Sequence, residues 1–180
     1  MQITPLTDEL AHLCETQFAK TGYSKGAGYF KDALKNQSAQ ELAFFVAHEP
    51  DCYLGHVRLL WNSQYPPFKN NGIPEISDLS VVPTARNQGI GTMLIKCCEE
   101  LAVTRSSKIG IGVGLYPDYN NAQRLYSRLG YVLDGCGVHY KNEPVLYGQC
   151  PPFDDDLIIH FTKDLSHDAA HPIRSVRYAG

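Results

Sequence analysis

The chain has 180 residues, 43% of them hydrophobic and 19% charged, which suits one globular domain and leaves no room for two ordinary ones. Sixteen Lys and Arg against nineteen Asp and Glu give a net charge of −3, which argues against nucleic acid as a partner, because phosphate binding needs a basic surface. No stretch approaches the roughly 20 apolar residues of a membrane span, and the start MQITPLTDEL lacks the basic and apolar regions of a leader, so the expectation is a cytoplasmic protein with no membrane partner.

In chain order, residues 8–20 put Leu10, Leu13, Cys14 and Phe18 on one helical face. Gly22, Gly26 and Gly28 then break the chain before a short helix through Phe30 and Leu34. Leu42–His48 and Tyr53–Trp61 read as strands, and Glu49-Pro50-Asp51 between them predicts an antiparallel hairpin. A polar loop spans Asn62–Pro74. After it come a strand at Ile76–Val82, a helix at Gly89–Thr104, a strand at Lys108–Leu115 and a helix at Ala122–Leu129. Two more strands, Tyr131–Leu133 and Leu157–Phe161, flank a long loop. This order predicts an α/β (mixed α+β) fold with a central, mostly antiparallel sheet of six or seven strands and helices on both faces. The domain is expected to occupy residues 1–165, and residues 166–180, without apolar periodicity, to form a loose tail.

The six cysteines have no Cys-x-x-Cys spacing and the seven histidines are scattered singly, so no metal is expected and the thiols should be reduced. Chemistry concentrates instead at Arg86-Asn87-Gln88-Gly89-Ile90-Gly91, between a strand and a helix. A helix N-terminus offers unpaired amides and the positive end of the macrodipole. Alternate glycines let an anion approach those amides, and the Arg86 guanidinium suits phosphate oxygens. A tight turn made only for packing explains the same glycines. No Walker lysine is present, and the spacing is not that of a dinucleotide fingerprint. Gly110, Gly112 and Gly114 alternate with Ile109, Ile111, Val113 and Leu115. They strip one face of a strand, either for a closely packed helix or for an extended ligand arm.

Asp78-Leu79-Ser80-Val81-Val82-Pro83 followed by Arg86-Asn87-Gln88-Gly89-Ile90-Gly91-Thr92 resembles the acyl-CoA binding motif of the GNAT superfamily of N-acetyltransferases. Ala122-Gln123-Arg124-Leu125-Tyr126-Ser127-Arg128-Leu129-Gly130-Tyr131 is similar to that family's second signature. The resemblance implies a V-shaped splay between the strands ending at Pro83 and Leu115, with acetyl-CoA as co-substrate. It implies pyrophosphate at Gly89, Gly91 and Thr92, with Arg86 and Gln88 in the same loop, and pantetheine along Leu79 and Val81. The Val81 amide would hold the thioester oxygen. Tyr126 matches the tyrosine that protonates the departing thiolate, and Glu75 a position used for the general base. Asp78 or a water-mediated route remains open for that proton, and alternation puts Glu75 and Asp78 on opposite faces. Where the family commonly has a cofactor-contacting asparagine this chain has Tyr119, so Asn121 or its neighbour Asn120 is the candidate.

The implied activity is direct acetyl transfer, within a ternary complex, to a primary amine on a small molecule or a peptide. Cys97 and Cys98 lie well inside a helix, against a covalent route. The acceptor site is expected in the segments 21–30, 62–74 and 135–153, whose Tyr23, Tyr29, Tyr65, Phe68, Tyr140 and Tyr147 suit an apolar or cationic group. Asp154-Asp155-Asp156 is either an attractor of polycations or a solvated turn. A homodimer is compatible with the sequence but not demanded by it. The alternatives to an enzyme are a silent acyl-CoA sensor, which binds without turnover, and a structural domain, which binds no coenzyme A.

Overall fold

The computed structural model describes residues 1–21 and 25–166. The first half comprises β1 (Gln2–Pro5), α1 (Asp8–Phe18), α2 (Tyr29–Ser38), β2 (Leu42–Glu49), β3 (Cys52–Leu60), the five-residue helix α3 (Pro66–Asn70) and β4 (Glu75–Val81). The second half comprises α4 (Ile90–Ala102), β5 (Lys108–Gly114), α5 (Asn120–Arg128), β6 (Val132–Tyr140), β7 (Glu143–Pro144) and β8 (Leu157–Asp164). Ser166 apart, the expected tail lies outside the described residues, as does Tyr23.

Local chemistry explains the helix boundaries. Thr7 accepts the Leu10 amide at 3.2 Å, and Asp8 and Glu9 put negative charge in the first turn of α1. In α4, Ile90, Leu94, Cys98 and Ala102 recur every fourth residue and are all buried, an apolar stripe that draws the helix onto the sheet. Strand β2 alternates in the same sense. Phe45 and Ala47 enter the core beneath α4, whereas Phe44 and Val46 enter the core beneath α1 and α2.

Among the described residues the sheet has eight strands in the order β1-β2-β3-β4-β5-β8-β6-β7, against the six or seven expected. The two additions are marginal elements. Strand β1 has no alternating apolar pattern and is defined by its pairing with β2, and β7 is two residues long. The anticipated loop after Leu133 continues as β6 to Tyr140, because its backbone finds β8 beside it. The 62–74 loop contains α3. All neighbouring strands are antiparallel except β4 and β5.

That one parallel junction is short. Strands β4 and β5 pair only at Glu75–Gly110 and Ile76–Ile111, and beyond Ile76 they part. The backbone of β4 from Ser77 to Val81 therefore pairs only with β3, through a bulge, and among the described residues has no strand partner on its β5 side. Helices α4 and α5 lie over one face of the sheet, with Leu94, Ile95, Ile111, Tyr126 and Phe161 in a common core. Helices α1 and α2 cover β2 and β3 on the other face, with Phe18, Phe30 and Phe44. The segment carrying α3 covers β5 and β8 on that same second face, where Phe68 lies over Gly110 and Tyr65 over His160.

Candidate active site

The splay ends at the start of α4. Gly89 is the N-cap of α4 at φ 81°, in the left-handed region, and no side chain caps the helix. An L-residue at Gly89 would be strained, although a Cβ there would meet nothing within 4 Å. The first-turn amides of α4 thus have no capping side chain, which is the chemistry an anion requires. A Cβ on Gly91 would lie 3.4 Å from Leu125 of α5 and 4.0 Å from Val81 of β4, so all three elements converge here. Arg86 is exposed and its Nε donates to the Val81 carbonyl at 3.1 Å, fastening the loop to the end of β4. Gln88 donates to Thr84 O at 3.3 Å and closes the loop on itself. Thr92 is half-buried, and Leu79 and Val81 pack toward the α4 core.

Helix α5 forms the opposite wall. Gln123 donates to the Gly114 carbonyl at 2.9 Å, tying the helix to the end of β5. Tyr126 is only 5% exposed, packed against Tyr131 and Phe161, and burial raises its phenol further above its ordinary range. It is a proton carrier at any physiological pH. Asn120 and Asn121 open the helix and are exposed. Tyr119 is engaged elsewhere. Its ring covers Gly114, and its hydroxyl donates to Asp155 at 2.9 Å.

The bare face of β5 has a packing explanation. A Cβ on Gly110 would collide with the Phe68 ring and one on Gly114 with the Tyr119 ring, and one on Gly112 would press on His160 at 3.2 Å. The aromatic rings of Phe68, from the short helix α3, of Tyr119 and of His160 occupy the stripped face. For the same reason Tyr65 and Phe68, at 0% and 1% exposed, are core residues. Burial pushes the His160 imidazole beneath Tyr65 down to about 4. The acidic turn is likewise structural. Asp155 accepts from the hydroxyls of Tyr116 and Tyr119, which hold its carboxyl below the usual range, and Asp154 accepts from Tyr140 at 3.2 Å.

The two carboxylates of β4 share a face, contrary to simple alternation. Val57 of β3 stands opposite both Asp78 and Leu79, because the register slips by one between His56–Ser80 and Arg58–Ser77. Asp78 takes a left-handed φ of 51° at this bulge, which turns its side chain to the α1–α2 face, the face of Glu75. There its carboxylate is 14% exposed and accepts from Lys25 Nζ at 2.5 Å, from His56 Nε2 at 3.1 Å and from the Tyr29 hydroxyl. His56, fully buried, pairs through Nδ1 with the Tyr53 hydroxyl at 2.5 Å. Burial alone would raise the Asp78 carboxyl, but His56, Lys25 and Tyr29 outweigh it and hold the group well below the carboxylate range. The Lys25 ammonium also lies over the Tyr29 ring, 5.1 Å from its centroid.

Glu75 is the reverse case. It is half-buried, its Oε2 accepts from the Ser63 hydroxyl at 2.6 Å, and burial lifts its carboxyl above the ordinary value despite Ser63 and the nearby Arg58 charge. Sequence reasoning missed Ser63, Lys25 and His56. The first two sit in loops without a local pattern. His56 falls between Gly55 and Val57 in the buried stretch of β3, and that was a usable signal. Burial raises the Cys97 thiol to about 11 and the Cys98 thiol well above its ordinary value, so neither is an activated nucleophile.

Among the described residues no group of His, Cys, Asp and Glu is arranged to hold a metal ion, and no helix is long and apolar enough to cross a membrane. A cavity of about 800 Å³ between β1 and α1, lined by Leu10, Leu13 and His48 among others, lies on the far edge of the sheet from this cleft.

The acetyltransferase (GNAT) family profile matches residues 7–131, and the chain belongs to that family. No curated protein matches the sequence. Solved structures with the same fold include an N-acetyltransferase from Staphylococcus aureus Mu50, with 16% identity, a TM-score of 0.66, and coverage of 92% of this chain and 98% of that one. Another is NAA60 of Arabidopsis thaliana in complex with acetyl-CoA, with 15% identity, a TM-score of 0.65, and coverage of 90% and 97%. A third is an aminoglycoside 6'-N-acetyltransferase complexed with coenzyme A, with 17% identity, a TM-score of 0.60, and coverage of 92% and 97%.

Proposed function

We propose that the chain is an acetyl-CoA-dependent N-acetyltransferase that moves the acetyl group directly to a primary amine in a ternary complex. The observation that carries this reading is the convergence at one point of the β4–β5 splay, the uncapped N-terminus of α4 and the Leu125–Tyr126 edge of α5. Acetyl-CoA and coenzyme A occupy the structures of NAA60 and the aminoglycoside enzyme, which share this fold.

In this reading the amides of Gly89, Gly91 and Thr92 hold the pyrophosphate, with Arg86 and Gln88 shaping the loop around it. Asn121 offers its amide from the start of α5. Leu79 and Val81 present backbone to the pantetheine arm, and the Val81 amide bears the charge that develops on the thioester oxygen. Glu75 removes a proton from the acceptor ammonium, freeing the nitrogen lone pair to attack the carbonyl carbon. Tyr126 gives its proton to the sulfur as the C–S bond breaks. Asp78, held as an anion by three donors, is a poor base and serves as an anchor.

Thermal unfolding tests the reading. Acetyl-CoA at 100 times its dissociation constant should stabilise the chain by about 2.7 kcal/mol, with a smaller shift in Arg86→Ala. No shift at millimolar acetyl-CoA overturns the acetyltransferase reading. A shift with no turnover across an amine panel identifies a silent acyl-CoA sensor instead.

A further inference from the structure

We infer that Ser63 is a positioning residue for Glu75: its hydroxyl fixes the direction of the carboxylate and supports its ionised form. The inference rests on the reading of Glu75 as general base. Ser63 is fully buried, and its oxygen has two partners whose roles leave no freedom. The Tyr65 amide can only donate, and does so to Ser63 Oγ at 2.9 Å. The single hydroxyl proton is then directed to Glu75 Oε2 at 2.6 Å. None of the described hydrogen bonds involves Glu75 Oε1, which leaves that oxygen for the acceptor.

What makes Ser63 a fixed strut is the residue behind it. The Tyr65 ring stacks on His160 at 3.6 Å and 4°, meets Phe68 and His139 edge-on at 4.8 Å, and its hydroxyl donates to Asp134 at 2.7 Å. Phe68 covers Gly110, the register partner of Glu75 on β5. Leu60, the last residue of β3, is the partner of Glu75 on the other side. The chain therefore leaves β3 beside Glu75, turns back through Ser63 and is pinned again beside Glu75 by Phe68. The 62–74 segment supports the base instead of lining the acceptor pocket. A donor aimed at the ionised carboxylate opposes the effect of burial, so its removal must raise the pH at which Glu75 loses its proton.

The test is a carbon-13 NMR titration of glutamate carboxyls in the full chain, with the Glu75 resonance assigned by its loss in Glu75→Gln. In Ser63→Ala the Glu75 midpoint should move up by about one pH unit. The acid limb of kcat/KM for acetyl transfer to n-butylamine should follow, leaving the variant about tenfold slower on the acid side and with a lower plateau above the limb, because the carboxylate is no longer held in one direction. Ser63→Thr, which keeps a hydroxyl, should restore the wild-type midpoint. If Ser63→Ala does not fold, Ser63→Cys, of similar volume but a weak donor, takes its place with the same expectation. An unmoved Glu75 midpoint overturns the inference. A moved midpoint with an unmoved rate profile instead overturns Glu75 as the base, and the two failures are thereby told apart.

Discussion

Glu75 and Asp78 lie three residues apart on one strand, face the same side of the sheet and are both largely removed from solvent, yet their surroundings drive them in opposite directions. Asp78 receives a lysine, a histidine and a tyrosine, enough to overcome burial and keep it charged. Glu75 receives one neutral hydroxyl, too little to do so. Two carboxylates whose environments push their proton affinities apart are a division of labour. The one with the raised affinity is the better suited to take a proton, and the one with the lowered affinity to hold its neighbours in place. Lys25 precedes α2 and His56 lies in β3, so Asp78 ties the α1–α2 connection and β3 to the strand that carries Glu75.

The comparison can be broken most sharply by the rates. Glu75→Gln should lower kcat/KM by about 10²–10⁴-fold, with Tyr126→Phe in the same range, at unchanged acetyl-CoA affinity. A variant of Glu75 that keeps full activity at neutral pH would return the base to Asp78 or to a water. Stability should separate the pair next. Asp78→Asn removes the negative charge that accepts three charge-assisted bonds and should cost about 1.5–3 kcal/mol in denaturant unfolding. Glu75→Gln should leave stability unchanged or raise it, because an ionised carboxyl disfavoured by burial is gone.

The pH dependence gives the smallest and most diagnostic effect. The folded Asp78 carboxyl lies below its unfolded value near 3.9, so its contribution is complete above about pH 4 and is lost as pH falls through the folded value. The deficit of Asp78→Asn relative to wild type should therefore shrink on acidification. Glu75 has the opposite sign. Its folded affinity is raised, so ionisation costs stability above the folded value, and that cost disappears as acid titrates the group. Any advantage of Glu75→Gln should vanish below about pH 4. Melting curves of the three proteins across pH 3–7 would show both trends, and parallel behaviour of the two variants would refute the contrast.

The elements that position the cleft were legible because they are local. The apolar stripe of α4, the glycines before it and the Leu125–Tyr126 pair each declare themselves within one or two turns of chain. The bulge at Asp78 was not legible, because a left-handed aspartate on a strand is settled by the slipped register of β3 against β4. Alternation placed Asp78 on the wrong face for that reason. The aromatic residues of the 62–74 segment were read as pocket lining, since nothing in their own neighbourhood shows that Gly110 and His160 make room for them.

The amino-acid order by itself therefore determined the types of the long elements, the alternation that divides the sheet into two faces, and the glycine turn into α4, all consequences of side-chain periodicity and backbone sterics over a few residues. The resemblance already favoured Glu75 over Asp78 as the base candidate, and tertiary structure alone decided the opposite proton affinities of the two. The proton affinity of Glu75 or Asp78 depends on the donors that arrive from Ser63, Lys25, Tyr29 and His56, residues distant in sequence that only the packed sheet brings within hydrogen-bonding reach.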